Sequence, residues 1–384
     1  MIYKTITVKK ILDSRGKATI ETEINGNFAS VPSGASIGSF EAKPVFADIA
    51  IKNILNIIAP ELLEKPILEP KEFDKMLIKL DGTFDKSRLG ANAILSLSLA
   101  NTRLNAKINN LPLYKYINKI VLFETEIKPP RILANFFHGG KHSKNKDIFQ
   151  EYLVIPKTKS IAKQLDIIKT IFKEINKKID PAGDEGGFVP ETNNFEEPFG
   201  ILSNIVNKLG LNNKLDFGVD VALSSSSRIK VYVNTYLDLV GKYPIIYIED
   251  PFKENDFKNF TELNLKIKSF CENTEKQKIL IVGDDLTVTN KERLEKAIKE
   301  KSINSIIIKP NQIGTITETL ETARVAHENN IEIIVSHRSG ETVDNFISDL
   351  AYGIGAWGAK IGNLAQKERL SKYNRLVEIE KELN

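Results

Sequence analysis

A repeated pattern in the second half of the chain constrains the fold most strongly. Five short apolar runs each end on a polar residue, and segments with helical spacing separate them. The runs recur about every 30 residues, the length that one strand and one crossover helix occupy in parallel β/α units. They are LDFGVD ending at Asp220, PIIYIE at Glu249, KILIVGD at Asp284, SINSIIIK at Lys309 and IEIIVSH at His337. The sequence therefore predicts successive parallel strands.

Two further strand-like runs flank this series, FQEYLVIP upstream and AYGIGAWGAK downstream. Together with the five units they favour closure into a β/α barrel over an open sheet. Active sites of such barrels lie at the carboxyl ends of the strands. The polar residue that ends each run is therefore where we expect catalytic chemistry.

The first part of the chain has a different pattern. ITVKKILDSRG, ATIETEING and FASVPSG predict a small antiparallel meander, and the spacing becomes helical from Asp48 onward. The Pro129-Pro130 pair favours a boundary nearby, because proline pairs stop helices. We expect an α+β domain over residues 1–125 and a barrel domain over residues 126–384.

Composition excludes several classes of protein. The 384 residues are 41% hydrophobic and 27% charged, which is typical of soluble globular proteins and argues against disorder. The net charge of +4 is spread along the chain without a basic block, so nucleic acid binding has no support. Cys271 is the only cysteine, which rules out an intrachain disulfide. With no secretory signal at its start and no long apolar stretch, the sequence indicates a cytoplasmic protein that does not bind membranes.

Three carboxylates end three consecutive predicted strands. On a barrel rim, Asp220, Glu249 and Asp284 would converge on one point. Hard oxygen ligands without an accompanying histidine or cysteine suit Mg²⁺ or Mn²⁺ rather than zinc. Any one of them alone is better explained as a helix cap or a surface ion pair. Three in phase favour a metal site.

Two lysines follow on the same predicted rim. Lys309 ends the next strand, and Lys360 follows a small-residue run one unit further on. A divalent cation nearby favours the neutral form of a lysine, which can then act as a general base. A salt bridge to a carboxylate of the metal site explains either residue equally well.

Three further segments carry candidate residues. HRSG, from His337 to Gly340, combines an imidazole, a cation and a hydroxyl that suit phosphate or carboxylate oxygens. GDEGGFVP places Asp184 and Glu185 before two glycines, which fits either a cleft or a surface turn. Glu151 begins an apolar run, where burial near other acids would raise its pKa and suit it to proton donation. An exposed carboxylate at a strand edge is the alternative.

VPSGASIG, a loop rich in glycine and serine, follows a predicted strand of the first domain. It resembles a phosphate-binding loop only weakly, since it lacks the lysine of a Walker motif. A mobile lid and a plain turn remain the alternatives.

Taken together, the motifs resemble enolase along nearly the whole chain, from DSRG at Asp13 to ERLSKYNRLVEIEKEL at the carboxyl end. The joint order of these stretches makes chance similarity improbable. The strongest matches are VPSGAS, LDGTFDKSRLGANAILSLSLA, GGKHSKNKDIFQEY, GDEGGFVP, IEDPF, GDDLTVTN, KPNQIGT and SHRSGET.

The resemblance implies an α/β fold: a smaller α+β amino-terminal domain that caps a modified (β/α)8 barrel. It also implies reversible dehydration of 2-phosphoglycerate to phosphoenolpyruvate in glycolysis and gluconeogenesis. Two Mg²⁺ ions would assist, the second arriving with substrate. Enolase-superfamily enzymes in general use a lysine or histidine base with one or two Mg²⁺ ions. A homodimer or higher homo-oligomer is the implied assembly.

Residue roles follow from the same resemblance. Lys309 would take the C2 proton, and Glu185, assisted by Glu151, would protonate the departing C3 hydroxyl. The implied metal ligands are Asp220, Glu249 and Asp284 for the first ion and Ser36 for the second. The implied substrate-binding residues are His142, His337, Arg338, Ser339 and Lys360.

The sequence departs from the family pattern in several places. KPVFADIA follows GSFEA without the usual Leu-Arg-Asp element, and the insertion between Asp220 and Glu249 is short. A run of serines replaces the usual glutamate after VDVALS. AKIGNLAQKER stands where the family typically has Lys-Thr-Gly-Ala-Pro followed by Arg-Ser-Glu-Arg. His138 stands where asparagine is usual before the two glycines. None of these changes removes a residue assigned to metal, base, acid or phosphate.

Two rival interpretations follow. A different enolase-superfamily lyase would keep the carboxylates and the lysine but change the substrate-facing groups, whereas SHRSGET and GDEGGF are substrate-end features of enolase itself. A catalytically weakened, enolase-like binding protein would fit the shortened loops. The retained charges weigh against it, because folding alone does not require buried like charges without a metal.

Overall fold

The amino-terminal part of the chain forms a three-stranded antiparallel sheet, in a computed structural model that describes residues 1–34, 38–121, 123–140, 148–223 and 231–383. The central strand pairs with both neighbours. Asn25 and Gly26 have φ of 46° and 77° and form the turn between the second and third strands. The strands are β1 (Ile6–Leu12), β2 (Ala18–Ile24) and β3 (Asn27–Ser30). The predicted meander is confirmed.

Helices cover one face of this sheet. The longest packs its small residues against the strands, and the Ser96 hydroxyl lies 2.7 Å from that of Thr22. A π-helical turn at Ile54–Ile58 interrupts the first predicted helix, which the spacing of apolar residues did not indicate. The helices are α1 (Ala47–Asn53), α2 (Ala59–Leu62), α3 (Pro70–Asp81), α4 (Ala91–Ile108) and α5 (Leu113–Ile120).

Eight strands close into a barrel in the rest of the chain. The order around the barrel is β10, β11, β4, β5, β6, β7, β8, β9. The five predicted runs form β6 to β10 and lie parallel to one another, as the sequence predicts. The strands are β4 (Arg131–His138), β5 (Glu151–Pro156), β6 (Leu215–Asp220), β7 (Ile245–Glu249), β8 (Leu280–Gly283), β9 (Ser305–Ile308), β10 (Glu332–Ser336) and β11 (Gly358–Gly362).

The two runs that flank this series differ in how much of each forms a strand. FQEYLVIP contains β5, which is antiparallel to both β4 and β6, a direction that the pattern does not specify. Only the last three residues of AYGIGAWGAK are strand, because its first residues end the helix Phe346–Gly353 and the strand begins at Gly358. A short apolar run fits a buried helix as well as a strand, so the prediction of one continuous strand was wrong there.

Apolar side chains fill the interior of the barrel, and nine helices within the described residues surround it. They are α6 (Ile161–Asn176), α7 (Glu197–Lys208), α8 (Val233–Lys242), α9 (Phe257–Thr274), α10 (Lys291–Lys299), α11 (Pro310–Ile313), α12 (Ile316–Glu328), α13 (Phe346–Gly353) and α14 (Lys367–Leu383). The interior cluster is Leu133, Leu153, Ile155, Ile246, Tyr247, Leu280, Val282, Ile307 and Ile334. Within the described ranges, no helix has the length and apolar character needed to cross a membrane.

Partly buried ion pairs join the amino-terminal elements to the barrel. Arg103 of α4 donates to Asp344 through two hydrogen bonds of 2.6 and 2.8 Å. Burial opposes the charge on Asp344, but Arg103 outweighs it and holds the pKa of the carboxyl below its usual value. Lys86 reaches Glu318 of α12 at 3.0 Å. These pairs fix the sheet and its helices over one end of the barrel.

Replacing Arg103 by Ala should destabilise the protein by about 2 kcal/mol, because the largely buried Asp344 would lose its cation and keep only the backbone hydrogen bonds from Ser30 and Phe346. Arg324→Ala is the matched control, since it removes an exposed pair with Glu328 that is worth less than about 1 kcal/mol. Urea unfolding followed by circular dichroism measures both. Equal urea midpoints for the two variants would show that the ion pair between Arg103 and Asp344 stabilises the protein no more than the exposed control pair does.

Candidate active site

The polar residues that end the strands meet at one end of the barrel. Because β5 runs antiparallel to its neighbours, its first residue, Glu151, lies at the same end as the last residues of the parallel strands. Glu151 pairs with Asp220, and Asp220 pairs with Glu249 on the next strand. Asp284 directly follows β8, beside Glu249. The strand register therefore places four carboxyl groups side by side.

Two lysines lie among these carboxylates. The Nζ of Lys360, on β11, is 2.7 Å from Glu249, 2.8 Å from Asp220 and 3.0 Å from Glu151. Lys309, directly after β9, forms an ion pair with Asp284. All of these side chains are buried or nearly so, and the lysines partly neutralise the negative charge.

The electrostatics reflect burial and crowding. Burial, followed by the charge of Asp220, raises the pKa of Glu249 to about 8. Burial and neighbouring Glu185 raise the pKa of Glu151. Burial opposes the charge on Lys360, but the surrounding carboxylates outweigh it and raise its pKa. The site therefore contains more carboxyl groups than its lysines can neutralise, and the raised pKa values favour a retained proton on some of them until a cation binds.

The donor set fits a hard divalent cation. Asp220 Oδ1 and Glu249 Oε1 are buried and have no hydrogen-bond partner among the described residues. Asp284 continues the acidic surface toward Asp250 and Asp285, and ligand atoms of these three aspartates lie within 4.8 Å of one another. Buried carboxylate oxygens without donors are costly unless a cation binds them. The cluster can bind a metal ion of the Mg²⁺ type.

His337 connects the strand ends to the GDEGG segment. Arg369 of α14 donates to His337 Nδ1 at 2.6 Å, so the neutral ring carries its proton on Nε2. That nitrogen lies 3.3 Å from Glu185 Oε2. Burial lowers the pKa of His337 to about 3, which keeps the ring neutral at physiological pH. His337 therefore donates a hydrogen bond to Glu185 without adding charge.

The residues after His337 meet the amino-terminal domain. Arg338 forms an ion pair with Glu41 through two hydrogen bonds of 2.8 and 3.2 Å. Ser339 Oγ accepts a 3.1 Å hydrogen bond from Arg15, which belongs to the DSRG motif. The backbones also join in a short bridge between Ser33 and Gly340. Residues from both parts of the chain therefore build this side of the cleft.

The structure brings most of the sequence-predicted residues into one cleft. Its lining includes Glu151, Glu185, Asp220, Asp284, Lys309, His337, Arg338, Ser339 and Lys360. Glu249 lies directly behind it, held by Lys360. Ser36 and His142 lie outside the described residues. Asp184 is next to Glu185, and its carbonyl accepts a hydrogen bond from Gln366.

Several site residues received no role from the sequence. Asp285 and Gln150 line the cleft and sit directly beside Asp284 and Glu151 in motifs that were recognised. Glu41 and Arg15 also lie in or next to recognised motifs. Their proximity to predicted residues was the available signal. Arg369 lies in the recognised ERLSKYNRLVEIEKEL stretch, but nothing local distinguishes a buried arginine from an exposed one on a charged helix.

Comparison with known proteins adds independent information. The family model described as "Enolase, N-terminal domain" matches residues 3–117. The family model described as "Enolase, C-terminal TIM barrel domain" matches residues 127–231 and 226–384. The two matches together span nearly the whole chain.

Curated relatives match over nearly their full length as well. The chain is 39% identical to Enolase B of Dictyostelium discoideum over 431 aligned positions, covering 100% of this chain and 95% of that protein. It is 37% identical to the enolase of Methanococcus vannielii, with the same coverage. The enolase of Ureaplasma parvum serovar 3 is 38% identical, with 97% and 94% covered.

The tautomer of His337 can be tested directly. In ¹⁵N-histidine-labelled protein, the His337 ring should remain neutral with its proton on Nε2 from neutral pH down to about pH 5. The reason is that burial lowers its pKa to about 3. Long-range ¹H–¹⁵N spectra report the tautomer, and His337→Gln assigns the signal among the four histidines. Conversion of that signal to the imidazolium form above pH 5 would contradict the assignment.

Proposed function

Because the chain belongs to the enolase family, we propose that it is a phosphopyruvate hydratase, a lyase that interconverts 2-phosphoglycerate and phosphoenolpyruvate in glycolysis and gluconeogenesis. One observation carries the mechanistic part of the proposal: a buried cleft combines a metal-binding carboxylate cluster, two lysines and a buried acid held by histidine. Abstraction of a proton beside a carboxylate requires this combination of charges.

Magnesium fits the donor set described above. We assign the first ion to Asp220, Glu249 and Asp284, and a second, which arrives with substrate, to a site completed by Ser36. When bound, Mg²⁺ would supply positive charge to the substrate carboxylate, and Asp284, once a ligand of the ion, would stabilise the charged form of Lys309 less, which favours neutral Lys309. Ser36, the residue assigned to the second ion, lies outside the described residues.

Substrate binding is assigned to cationic and hydroxyl groups around the cleft. Lys360 binds the substrate carboxylate, and Arg338 and Ser339 bind the phosphate, with His337 supporting that end. The guanidinium of Arg338 offers paired N–H donors that match phosphate oxygens. His142, outside the described residues, completes the set by family resemblance.

Two groups then move protons. Neutral Lys309 takes the proton from C2, and the electron pair of the C2–H bond forms the C2–C3 double bond. The C3–O bond breaks, and the hydroxyl leaves as water with a proton from Glu185. Glu151 assists, because its buried carboxyl next to Glu185 favours retention of a proton between the two acids. In the reverse direction the same groups exchange roles.

The proposal extends to the setting of the enzyme. We place it in the cytoplasm, as a homodimer or higher homo-oligomer, with a domain boundary between residues 125 and 126. These three assignments rest on family resemblance and on the sequence patterns described above.

The proposed activity is tested with the purified protein. Addition of 2-phosphoglycerate and Mg²⁺ should give the ultraviolet absorbance of phosphoenolpyruvate, and excess chelator should abolish the signal. Restored Mg²⁺ should restore it. A folded sample that binds Mg²⁺ and substrate analogue but forms no phosphoenolpyruvate would support the weakened, binding-only interpretation instead.

Replacing Lys309 by Ala should lower kcat by at least about 10²- to 10⁴-fold, because no other group is assigned to take the C2 proton. Calorimetric Mg²⁺ binding should persist, since Asp220 and Glu249 remain. Lys278→Ala is the matched control, because Lys278 pairs with Glu332 near the other end of the barrel strands. Turnover by Lys309→Ala at the rate of this control would refute the base assignment.

A further inference from the structure

His138 is a departure from the family sequence that lies inside the site. It ends β4 and is fully buried, and its partner across the antiparallel pair is Glu151. The mechanism described above gives it no role. Its ring lies between the turn that carries Glu185 and the amide of Asn135.

The ring packs directly against the Glu185 turn. A Cβ at Gly183 would lie 2.1 Å from the imidazole, and one at Gly187 would lie 2.6 Å from it, so these glycines admit the ring. The Gly187 N–H donates to His138 Nε2 at 3.1 Å. The turn closes on itself through a 3.0 Å hydrogen bond from Gly183 N–H to the Gly187 carbonyl. The imidazole therefore fixes the backbone on both sides of Glu185.

This contact determines the tautomer of His138. A backbone N–H can only donate, so Nε2 must accept, and the neutral ring must carry its proton on Nδ1. Nδ1 lies 3.2 Å from one terminal atom of the Asn135 side-chain amide. A donor on Nδ1 requires that atom to be the amide oxygen. Asparagine oxygen and nitrogen are assigned from the hydrogen bonds around them, and this contact decides the orientation.

The orientation of Asn135 in turn affects Glu185. The same amide atom lies 3.2 Å from Glu185 Oε2. An amide oxygen would repel an ionised carboxylate at that distance but accepts a hydrogen bond from a protonated one. The opposite amide atom is buried without a hydrogen-bond partner among the described residues, so it does not favour the reverse orientation. His337 Nε2–H can still donate to the protonated oxygen.

We propose that His138 is a positioning residue that, through Asn135, holds the Glu185 carboxyl in place and protonated, ready to donate to the leaving hydroxyl. The proposal rests on the function proposed above, because it deepens the role of Glu185. The other ionisable groups around Glu185 are the same in wild type and in the His138 variants, so they do not account for a difference between these proteins. They are Glu151 on β5, His337 after β10, Lys360 on β11, and Arg369 and Tyr373 on α14.

Two substitutions separate the hydrogen-bonding role from packing. His138→Leu keeps an apolar side chain but removes both the acceptor and the donor. His138→Gln supplies one acceptor and one donor on a single side chain. His327→Leu is the matched control, an identical change on the exposed face of α12.

Dehydration of 2-phosphoglycerate and exchange of its C2 hydrogen with deuterated solvent are measured for each variant across pH. His138→Leu should lower kcat about 10- to 100-fold with KM changed less than about threefold, since only proton donation is impaired. C2 exchange should persist, because Lys309 is untouched. The loss of activity on raising pH should move to lower pH, since Glu185 loses its proton more readily. His138→Gln should recover most of kcat.

Other outcomes overturn the inference. Wild-type kcat and pH profile in His138→Leu would remove the proposed role. Equal loss of dehydration and C2 exchange, or equal loss in His138→Leu and His138→Gln, would indicate a purely structural contribution. Wild-type protein without any dehydration activity would instead refute the proposed function, so the two failures are distinguishable.

Discussion

The ammonium group of Lys360 lies among the carboxylates of Glu151, Asp220 and Glu249, and the rest of the site depends on this buried cluster. Like charges are expensive to bury, and one lysine cannot compensate three carboxylates. A barrel supports such a cluster because adjacent strands fix the positions of their end residues through backbone hydrogen bonds. The rigid frame therefore holds the carboxyl groups together, and those with raised pKa values can release a proton when a cation binds.

The reversed direction of β5 is what completes this cluster. In an all-parallel barrel, the first residue of a strand lies at the end opposite to the active site. The antiparallel pairing of β5 with β4 and β6 brings Glu151 next to Asp220 instead. The same pairing places it across from His138. One reversed strand thus links the carboxylates proposed to bind the metal ion to the acids proposed to protonate the leaving hydroxyl.

The sequence predicted the parallel strands and their terminal residues because each strand carries a local signal, an apolar run that ends on a polar residue. The direction of β5 depends on its partners, which no local pattern records. The Asn135 and Arg369 contacts depend on distant parts of the chain in the same way. The family resemblance supplied the roles of Glu185 and Lys309, since the residues alone left each with an ordinary alternative.

The phosphate side of the cleft shows why the amino-terminal domain belongs to the site. Arg338 is buried, and Glu41 from the first domain balances its charge in the protein without ligand. An incoming phosphate offers the same type of anionic oxygen, so it can take over this guanidinium without leaving a buried cation unpaired. Glu41 would then lose its partner and move or bind another cation. If phosphate binds Arg338 as proposed, substrate binding would therefore be coupled to the placement of the first domain through the pair between Arg338 and Glu41.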